Sequence, residues 1–585
     1  MQIETMEMKQ IDLLRVIKLV STVDSLITGN DSVKCIIDED GNYELTADGL
    51  RFFQAIQGKH WVYHIVHDFC AAFNKTYGYG SASFLFFVGK WCGCFIQLLN
   101  QGVPAQVISI VMSEILEVIT SQLSRFSLSI RTFKDAYTNM SELSATKSAA
   151  SRTQEPKNRP IMTSKTSKNT THARSRFSRY SRHAMTDVEN DLQQINRKKE
   201  SALLRKLCIN VCGQSNEIVH EIISNVVETA YKNHVFNLDS NEAFQSFVLN
   251  RDNIIIEPLI GISQSTSSVY NGIIIPCDDW YIVDVLKRLE GLSIKVALVN
   301  NISYGNMLPD SKDLRLYKIT SQIEEVSFDA KQKQFTACPS CLVFYRGEVK
   351  KDMKSTLDNQ GVLLISVSSY NVLFSLSTML SCDILFEFND LAVTAAARVS
   401  VILQRDHTSQ SQKRIFSIKN KLSYQLLVQS AENTKVHFYS LLLCSRTLDL
   451  YNVLSERIHA YLAKTNCCLR GRSLIKGNGF AERKAVELIT TIMEFGTPTM
   501  ESETLTKESS LDKYEVPHWF KFDVSMYKKL ICERIITVFE DYAEIFEDQT
   551  ENLFLNSLPH RVALWRNSFD CVSKILFCRK INTNF

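Results

Sequence analysis

Two glycine-containing turns are the stretches of this chain that could bind a phosphate. Gly78-Tyr-Gly-Ser81 precedes a long apolar run, and Thr46-Ala-Asp-Gly49 precedes a shorter one. A glycine turn that opens a helix leaves the first backbone amides of that helix free to bind an anion. A Gly-x-Gly by itself is weak evidence, because most such segments are simply turns. The candidate binding residues are Asp48, Gly49, Gly78, Gly80 and Ser81.

Two groups of residues, one of histidines and one of cysteines, have types that could bind a metal ion. His60, His64 and His67 fall on one face of a predicted helix, where three imidazoles could bind zinc. The helix lacks a carboxylate placed as in H-E-x-x-H, which favours an ordinary packed or partner-facing surface. Cys338-Pro-Ser-Cys341 has no second ligand pair, and the other cysteines are scattered, mostly in apolar stretches. We therefore expect reduced core thiols and no metal site.

A basic, polar segment covers residues 141–200. From Lys147 to His183, Lys and Arg face the single acid Glu155, among many Ser, Thr and Asn. Such a composition cannot bury enough apolar surface to offset its ordering entropy, so the plain interpretation is a disordered cationic insertion whose serines could be phosphorylated. The alternatives are a nuclear signal or an RNA site in which Phe177 and Tyr180 stack on bases.

The composition is that of a globular protein with several domains. The chain has 585 residues, of which 45% are hydrophobic and 22% charged, and its net charge is +3. This near balance gives no global attraction to nucleic acid or to an anionic membrane. We find no basic and apolar leader and no uninterrupted apolar run of about 18 residues, so we expect a cytosolic protein without a membrane partner.

The two turns lie among elements that hydrophobic periodicity predicts. A helix is expected over 11–27, and Val33–Ile37 and Tyr43–Leu45 read as strands of a hairpin. The helix after Gly80 places one wide apolar face toward a core. Gly102 ends that helix and Pro104 starts the next. The predicted face consists of Phe84, Phe87, Val88, Trp91, Phe95, Leu98 and Leu99.

The rest of the chain is predicted to change from helical to α/β and back. Helical periodicity spans Leu203 to Ala230, and from about residue 253 short apolar strands alternate with helices at 281–289 and 370–380. After Leu391 long helices are expected to dominate. The predicted strands are 254–256, 272–275, 296–299, 342–344 and 361–365. An α/β domain inserted into a helical one fits this order.

Six local segments agree with that order: Thr46–Gly49, Gly78–Ala82, Asn271–Pro276, Lys287–Glu290, Ile294–Leu298 and Lys350–Leu364. The order and these segments resemble the group II chaperonins, which are ATP-driven folding machines. The resemblance implies an α+β multidomain, group II chaperonin-like fold, whose helical equatorial domain is interrupted by intermediate and α/β apical domains. The implied bounds are 1–140 equatorial, 141–200 insertion, 201–252 intermediate, 253–386 apical, 387–412 intermediate and 413–585 equatorial, with a polar loop at 497–517.

A second set of segments carries a narrower resemblance: Ser32–Glu39, Asn74–Tyr77, Phe84–Trp91, Gly102–Pro104, Val111–Glu114 and Ala563–Arg566. They resemble the chaperonin-like Bardet-Biedl syndrome proteins, a divergent family. This resemblance implies help in assembling the BBSome, the ciliary coat complex, with BBSome subunits as clients. The implied partners are other chaperonin-like members and conventional chaperonin subunits, in the cytoplasm at the centrosome or ciliary base.

Against the chaperonin pattern, the nucleotide site looks degenerate. Tyr79 stands where the family has a magnesium-binding aspartate, and Ile27–Asp31 represents the early phosphate-loop with its glycines out of place. A further aspartate is expected in the helix after the apical domain, but His407 to Ala431 holds no Asp or Glu. Bulky residues at Val436–Tyr439 replace a glycine turn. Asp48 is the one acid retained.

The resemblance therefore predicts a protein that binds others without hydrolysing ATP, although ATP binding is not excluded. Losing one preorganised charge typically costs about a hundredfold in rate, and two are missing. Two alternatives stay open. One is an ATP-dependent chaperonin subunit with a rearranged site in which Asp31 or Asp390 substitutes. The other is RNA binding through the basic segment.

Overall fold

The computed structural model is a multidomain α+β protein that divides into two compact units. One unit combines Met1–Arg251 with Thr447–Phe585, and the other is Asp252–Arg446. We name them the outer unit and the inner unit. The structure describes residues 2–28, 33–56, 58–130, 200–213, 217–235, 246–300, 341–347, 349, 362–385, 395–402, 424–431, 436–495, 524–546 and 554–578.

Helices dominate the outer unit, and the inner unit carries two in its described part. In chain order the α-helices are α1 Gln2–Val20, α2 Ser25–Thr28, α3 Gly49–Ala55, α4 Trp61–Tyr77, α5 Ser81–Asn100, α6 Ala105–Leu123, α7 200–212, α8 Glu217–Val235, α9 Trp280–Arg288, α10 Tyr370–Leu380, α11 Leu448–Gly471, α12 Phe480–Phe495, α13 Val524–Glu544 and α14 Leu558–Phe577.

The strands form four sheets among the described residues. They are β1 Lys34–Ile37, β2 Tyr43–Thr46, β3 Leu128–Ser129, β4 Ile254–Ile260, β5 Ser268–Asn271, β6 Ile273–Cys277, β7 Ser293–Asn300, β8 Cys341–Arg346, β9 Val362–Ser366, β10 Ile384–Leu385, β11 Ala395–Ile402, β12 Tyr424–Ser430, β13 Tyr439–Ser445, β14 Ser473–Lys476 and β15 Leu555–Ser557.

Helix α5 lies in the main core of the outer unit, as its periodicity predicts. All seven residues of the predicted face are buried, and α1, α4, α13 and α14 pack around the helix. Trp91 contributes the largest buried side chain, and its indole Nε1 donates to Ser568 Oγ at 3.1 Å. Burying this apolar surface favours folding by roughly 25 cal/mol per Å². Helix α5 is thereby held by four other helices.

Two helices are long and apolar enough to cross a membrane when judged by length and composition alone. They are Ser81–Asn100 and the segment Ala105–Phe126. Core helices of globular proteins pass the same test. In this structure both helices contribute buried residues to the main core of the outer unit.

The predicted hairpin is confirmed. Strands β1 and β2 pair antiparallel, with Ile37 opposite Tyr43 and Lys34 opposite Thr46. Asp38 closes the turn because its Oδ1 accepts from the backbone N–H groups of Asp40 and Asn42. The turn residue Gly41 has a φ of 81°, which glycine adopts without strain. The hairpin ends at Thr46, where the first candidate turn begins.

The inner unit is built on a seven-stranded mixed sheet. Its order is β6-β12-β11-β7-β8-β9, with β10 beside β7. Strands β7, β8 and β9 are parallel, and β11 and β12 run antiparallel to their neighbours. Helices α9 and α10 share one hydrophobic core with this sheet. A three-stranded sheet, β4-β13-β5, accompanies it.

The expectation of long helices directly after Leu391 is wrong. Strands β11, β12 and β13 occupy the described residues between 395 and 445, and the next helix, α11, begins at Leu448. Every residue of β13 is buried, so its sequence shows no alternation of polar and apolar residues. Periodicity alone cannot distinguish such a run from a buried helix segment.

Several sequence predictions fall outside the described residues or stay predictions. The basic insertion up to residue 199, the polar loop 497–517 and Cys338 lie outside them. The described cysteines whose side chains are placed are free thiols, most of them buried. The unit boundaries after Arg251 and Arg446 do not separate equatorial from intermediate segments, so that finer division stays a prediction.

Two glycines one turn apart on α5 test how closely its neighbours pack. A Cβ on Gly89 would lie 2.6 Å from Val20 Cγ2, whereas a Cβ on Gly93 would meet nothing within 4 Å. We expect Gly89→Ala to lower the free energy of unfolding by about 1–3 kcal/mol through overpacking. Gly93→Ala should raise it by up to about 1 kcal/mol through helix propensity. Urea unfolding followed by circular dichroism measures both changes, and equal effects would contradict the packing described.

Candidate functional site

The five candidate residues from the two turns line a single cleft of the outer unit. The cleft has a volume of about 460 Å³ and receives Asp48, Gly49, Gly78, Gly80 and Ser81. Helix α11 supplies the facing wall, including Ser455, Glu456 and His459. Residues far apart in the chain therefore meet at the N-terminal end of α5.

Two glycines shape the turn between α4 and α5. Gly78 ends α4 with a φ of 76°, and its N–H donates to Asn74 O at 2.7 Å. Gly80 is the N-cap of α5 with a φ of 88°. Both values lie in the left-handed region, where any residue with a Cβ is strained. The pair reverses the chain within three residues and leaves the first turn of α5 facing the cleft.

Asp48 is engaged by the protein itself. Its Oδ1 caps α3 by accepting from Leu50 N at 3.0 Å and also accepts from Ser81 Oγ at 2.7 Å. This second bond ties the two candidate turns together. Gly49 packs so closely against α5 that a Cβ at this position would lie 2.8 Å from Ala82 N. The Asp48 oxygen Oδ2 makes no hydrogen bond with a described residue.

Glu456 of α11 is an acid at the cleft that sequence reasoning missed. Its carboxylate accepts from Thr46 Oγ1 at 2.9 Å and from Ala47 N at 2.8 Å, and it pairs with Arg51 at 2.7 Å. Arg51 also pairs with Glu44 of the hairpin. The carboxylate therefore holds the first turn against α11. More than 400 residues separate Glu456 from this turn, so no local signal could have linked them.

Tyr79 lines the cleft, but its side chain packs on His560 and its hydroxyl is buried. Its ring stacks on His560 of α14 with centroids 3.9 Å apart and planes 15° apart. The Tyr79 hydroxyl is buried and has no hydrogen-bond partner among the described residues, and burial raises its pKa well above the usual value. A neutral phenol in this position cannot bind a cation in the cleft.

His560 is held as a neutral imidazole. Burial, assisted by the positive charge of Arg561, lowers its pKa well below the usual value. Its Nε2 lies 3.4 Å from the backbone carbonyl of Tyr79, a bond in which Nε2 donates. Phe73 and Tyr77 of α4 also contact the ring. The stack therefore joins α4, the Tyr79 turn and α14.

A chain of hydrogen bonds sets the direction of the Ser83 hydroxyl. Arg561 Nη1 donates to the Tyr542 hydroxyl at 3.0 Å, and Tyr542 in turn lies 3.1 Å from Ser83 Oγ. Since the Tyr542 oxygen accepts from Arg561, its own proton can point to Ser83, which leaves the Ser83 proton free for the cleft. The buried Glu482 carboxylate lies 3.5 Å from Arg561 Nε and balances its charge.

The cleft carries positive charge suited to an anion. The Arg251 guanidinium lies against Gly78, where a Cβ would come within 2.6 Å of its Nη1. Arg251 makes no hydrogen bond or ion pair with any described residue. His459 donates from Nδ1 to Ser455 O at 2.8 Å, and burial lowers its pKa. With the first-turn amides of α5 and the Ser83 hydroxyl, these groups could hold an oxyanion.

The same cleft offers little to a metal ion. Among the described residues, no group of three His, Cys, Asp or Glu side chains could hold one. The histidines of the predicted helix face have other partners. His60 caps α4 and contacts Arg15, and His67 contacts Gln54 and Asp68. A single carboxylate oxygen, Asp48 Oδ2, does not reproduce the octahedral oxygen set that magnesium prefers.

The helix predicted over His407–Ala431 and the turn predicted near Val436–Tyr439 differ from expectation in the described residues. Residues 424–430, within the supposed helix His407–Ala431, form strand β12, and residues 403–423 lie outside the described part. Val436–Tyr439 leads into β13 and does not line the cleft. A glycine turn opening a helix occurs instead at Gly477-Asn-Gly479, before α12. Helix α11, which does face the cleft, presents Glu456.

The two aspartates proposed as substitutes for the missing catalytic acids, Asp31 and Asp390, lie outside the described residues. Ile27 of the degenerate early loop lines the cleft, but residues 29–32, including Asp31, lie outside the described part of the chain. Asp390 also lies outside it.

No protein-family model matches this chain, and no curated protein does.

The neutral, buried His560 predicts a pH dependence of stability. Its folded pKa lies below the unfolded value of about 6.5, so this contribution is complete above that pH and is lost as the pH falls below it. The loss has a limiting slope of about 1.4 kcal/mol per pH unit. His560→Phe keeps a ring against Tyr79 but cannot titrate. Urea unfolding from pH 7.5 to 5 should show a shallower decline for the variant, and parallel profiles would contradict a buried neutral imidazole.

Proposed function

We propose that this chain is a chaperonin-like protein that acts by binding other proteins and does not itself hydrolyse ATP. The sequence resembles the Bardet-Biedl syndrome 12 protein within the chaperonin-like family. On this proposal the inner unit contains the apical segment 253–386 and the intermediate segment 387–412, and most of the equatorial segments lie in the outer unit. The protein helps to assemble the BBSome in the cytoplasm, at the centrosome or ciliary base.

The observation that carries the proposal is the position of Tyr79. In the chaperonin pattern this residue would be an aspartate that holds magnesium beside the transferred phosphate. Here the side chain is a phenol whose ring is stacked on His560 and whose hydroxyl is buried. Phosphoryl transfer depends on metal ions and positioned charges, so losing this ligand removes a principal source of rate.

The remaining acids at the cleft support the same conclusion. Asp48 is occupied as a helix cap and as the acceptor for Ser81. Glu456 is occupied by Thr46, Ala47 and Arg51. Glu456 could not orient an attacking water without breaking the contacts that hold the first turn, and Asp48 has a single unbonded oxygen, Oδ2, among the described residues. ATP could bind through Arg251 and the first turn of α5 without being cleaved.

Exposed aromatic side chains on the inner unit support the binding role. Trp280 and Tyr281 begin α9 and are 68% and 49% exposed, and Tyr370 and Phe374 on α10 are 40% and 58% exposed. Both helices pack against the same sheet through their other faces. Exposed apolar patches commonly mark protein interaction sites, and aromatic anchors dominate binding energy. We name these four side chains the aromatic surface.

The resemblance supplies the partners. We propose other chaperonin-like Bardet-Biedl syndrome proteins and conventional chaperonin subunits as assembly partners, and BBSome subunits as clients. Clients would dock at the aromatic surface. Nothing about the described residues favours RNA, and the basic segment that could bind it lies outside them.

Affinity capture of the full-length protein from ciliated cells, with mass spectrometry of what is retained, tests this proposal. We expect wild-type protein to retain chaperonin-like partners and BBSome subunits. The double variant Trp280→Ser/Phe374→Ser should retain about tenfold less of the BBSome subunits, because truncating an aromatic anchor typically costs about 2 kcal/mol or more. Both side chains are exposed, so the fold should persist.

The matched control is Leu14→Ser, which removes a side chain of similar exposure, 54%, from α1 of the outer unit. It should retain clients as the wild type does. Capture without any chaperonin-like protein would contradict the proposed family role. Equal BBSome retention by the double variant and the wild type would contradict the aromatic surface as the docking site.

A further inference from the structure

A second cavity of the outer unit shares no residue with the cleft. It has a volume of about 280 Å³ and lies between the end of α1, the middle of α5 and α13. We name it the α5 groove. Its apolar walls include Ile17, Val20, Phe86 and Val538. A cavity of this size accommodates a small molecule rather than a nucleotide.

The groove exists because two glycines of α5 meet different surroundings. At Gly89 the missing side chain lets Val20 of α1 pack directly on the helix backbone. One turn later a Cβ on Gly93 would meet nothing within 4 Å, although Gly93 lies on a helix of the core. Helices α1 and α13 leave this part of α5 uncovered. The floor of the groove is therefore bare helix backbone.

One end of the groove is acidic. Lys90 Nζ pairs with Asp541 at 2.7 Å and lies over the Phe86 ring. Asp24 lies close to Lys90, yet its carboxylate makes no hydrogen bond or ion pair with any described residue. Burial raises the pKa of Asp24, and the charge of Lys90 partly offsets this effect. Asp24 is therefore a partly desolvated carboxylate without a bonded partner among the described residues.

The other end of the groove is cationic. Arg534 of α13 is half-buried and makes no hydrogen bond or ion pair with any residue that the structure describes. It lies near Cys94. Burial raises the pKa of the Cys94 thiol to about 12, and the positive charge of Arg534 opposes this rise. Desolvated charges are costly unless they are paired. Arg534 and Asp24 do not satisfy each other, because no ion pair joins them.

Helix geometry separates the two ends. On α5, Lys90 pairs with Asp541, and Cys94 lies near Arg534. Cys94 comes four residues after Lys90, whereas Arg534 comes seven residues before Asp541. The helices thus run antiparallel along the groove, and seven residues at 1.5 Å each place Arg534 about 10 Å from Asp541 along α13. A ligand that meets both charges must span several ångströms of apolar wall.

We propose that the α5 groove binds a small zwitterion whose ammonium and carboxylate groups are separated by an apolar spacer. The ammonium group pairs with Asp24, the carboxylate pairs with Arg534, and the spacer lies on the Gly93 backbone between Val20 and Val538. The formal charges of the four charged side chains that line the groove sum to zero, which suits a ligand without net charge. This site is independent of the function proposed above.

Isothermal titration calorimetry of the full-length protein tests the proposal with three probes of equal chain length. The zwitterion is 6-aminohexanoate, hexanoate lacks the ammonium group and hexylamine lacks the carboxylate. We expect 6-aminohexanoate to bind and each singly charged probe to bind about tenfold more weakly or worse, since each leaves a partly buried charge unpaired.

Variants locate the binding. Arg534→Gln and Asp24→Asn should each weaken the binding of 6-aminohexanoate about tenfold or more. Arg534→Gln should also reduce the preference over hexylamine, and Asp24→Asn should reduce the preference over hexanoate. Gly93→Leu should block the floor. Lys75→Gln on the exposed part of α4 is the control and should bind as the wild type does. Melting temperatures establish that each variant is folded.

Three results would overturn the proposal. The first is no heat from 6-aminohexanoate with the wild type at millimolar concentrations. The second is equal affinity for hexanoate, which would indicate a simple anion site. The third is undiminished binding by folded Arg534→Gln and Asp24→Asn. If Gly93→Leu fails to fold, the two charge variants still decide the question.

Discussion

The stacking of Tyr79 on His560 fixes the beginning of α5, and much of the outer unit is arranged around that helix. The left-handed turns at Gly78 and Gly80 allow the intervening side chain to enter the core. Once there, the ring contacts α14, and the helix that follows is buried by α1, α4, α13 and α14. The cleft therefore owes its shape to an aromatic contact within the core.

With this contact, the cleft keeps the backbone shape of a phosphate-binding turn but has no carboxylate at position 79. The glycines, the exposed first turn of α5 and the Asp48–Ser81 bond make a turn that could receive a phosphate. The acids at the cleft also hold it together: Asp48 caps a helix and Glu456 joins α11 to the hairpin. An anion could be bound there, while no three His, Cys, Asp or Glu side chains of the described residues are grouped to hold a metal ion. The proposed binding role follows from this division.

Sequence reasoning succeeded where one short segment determined the result. The apolar face of α5 and the β1–β2 hairpin follow from local periodicity and turn residues. The five turn residues were found by their types, and the structure brings them to one cleft. The direction of Tyr79 could not be predicted, because it depends on His560, 481 residues away.

Failures arose where neighbours distant in sequence decide the structure. Glu456 and Arg251 join the cleft only through tertiary packing. Strand β13 was missed because it is buried throughout and carries no alternation. The α5 groove was equally hidden, since Gly93 on an apolar helix gives no sign of whether a neighbour covers it. These features require the fold before they can be recognised.

We propose that the cleft does not cleave ATP. A single-turnover assay tests it most directly, with the purified full-length protein in excess over radiolabelled ATP and magnesium. The account predicts that phosphate release will not exceed the rate in buffer alone, whether or not ATP is bound. Release above that rate, abolished by Asp48→Ala, would contradict it and would favour a rearranged catalytic site.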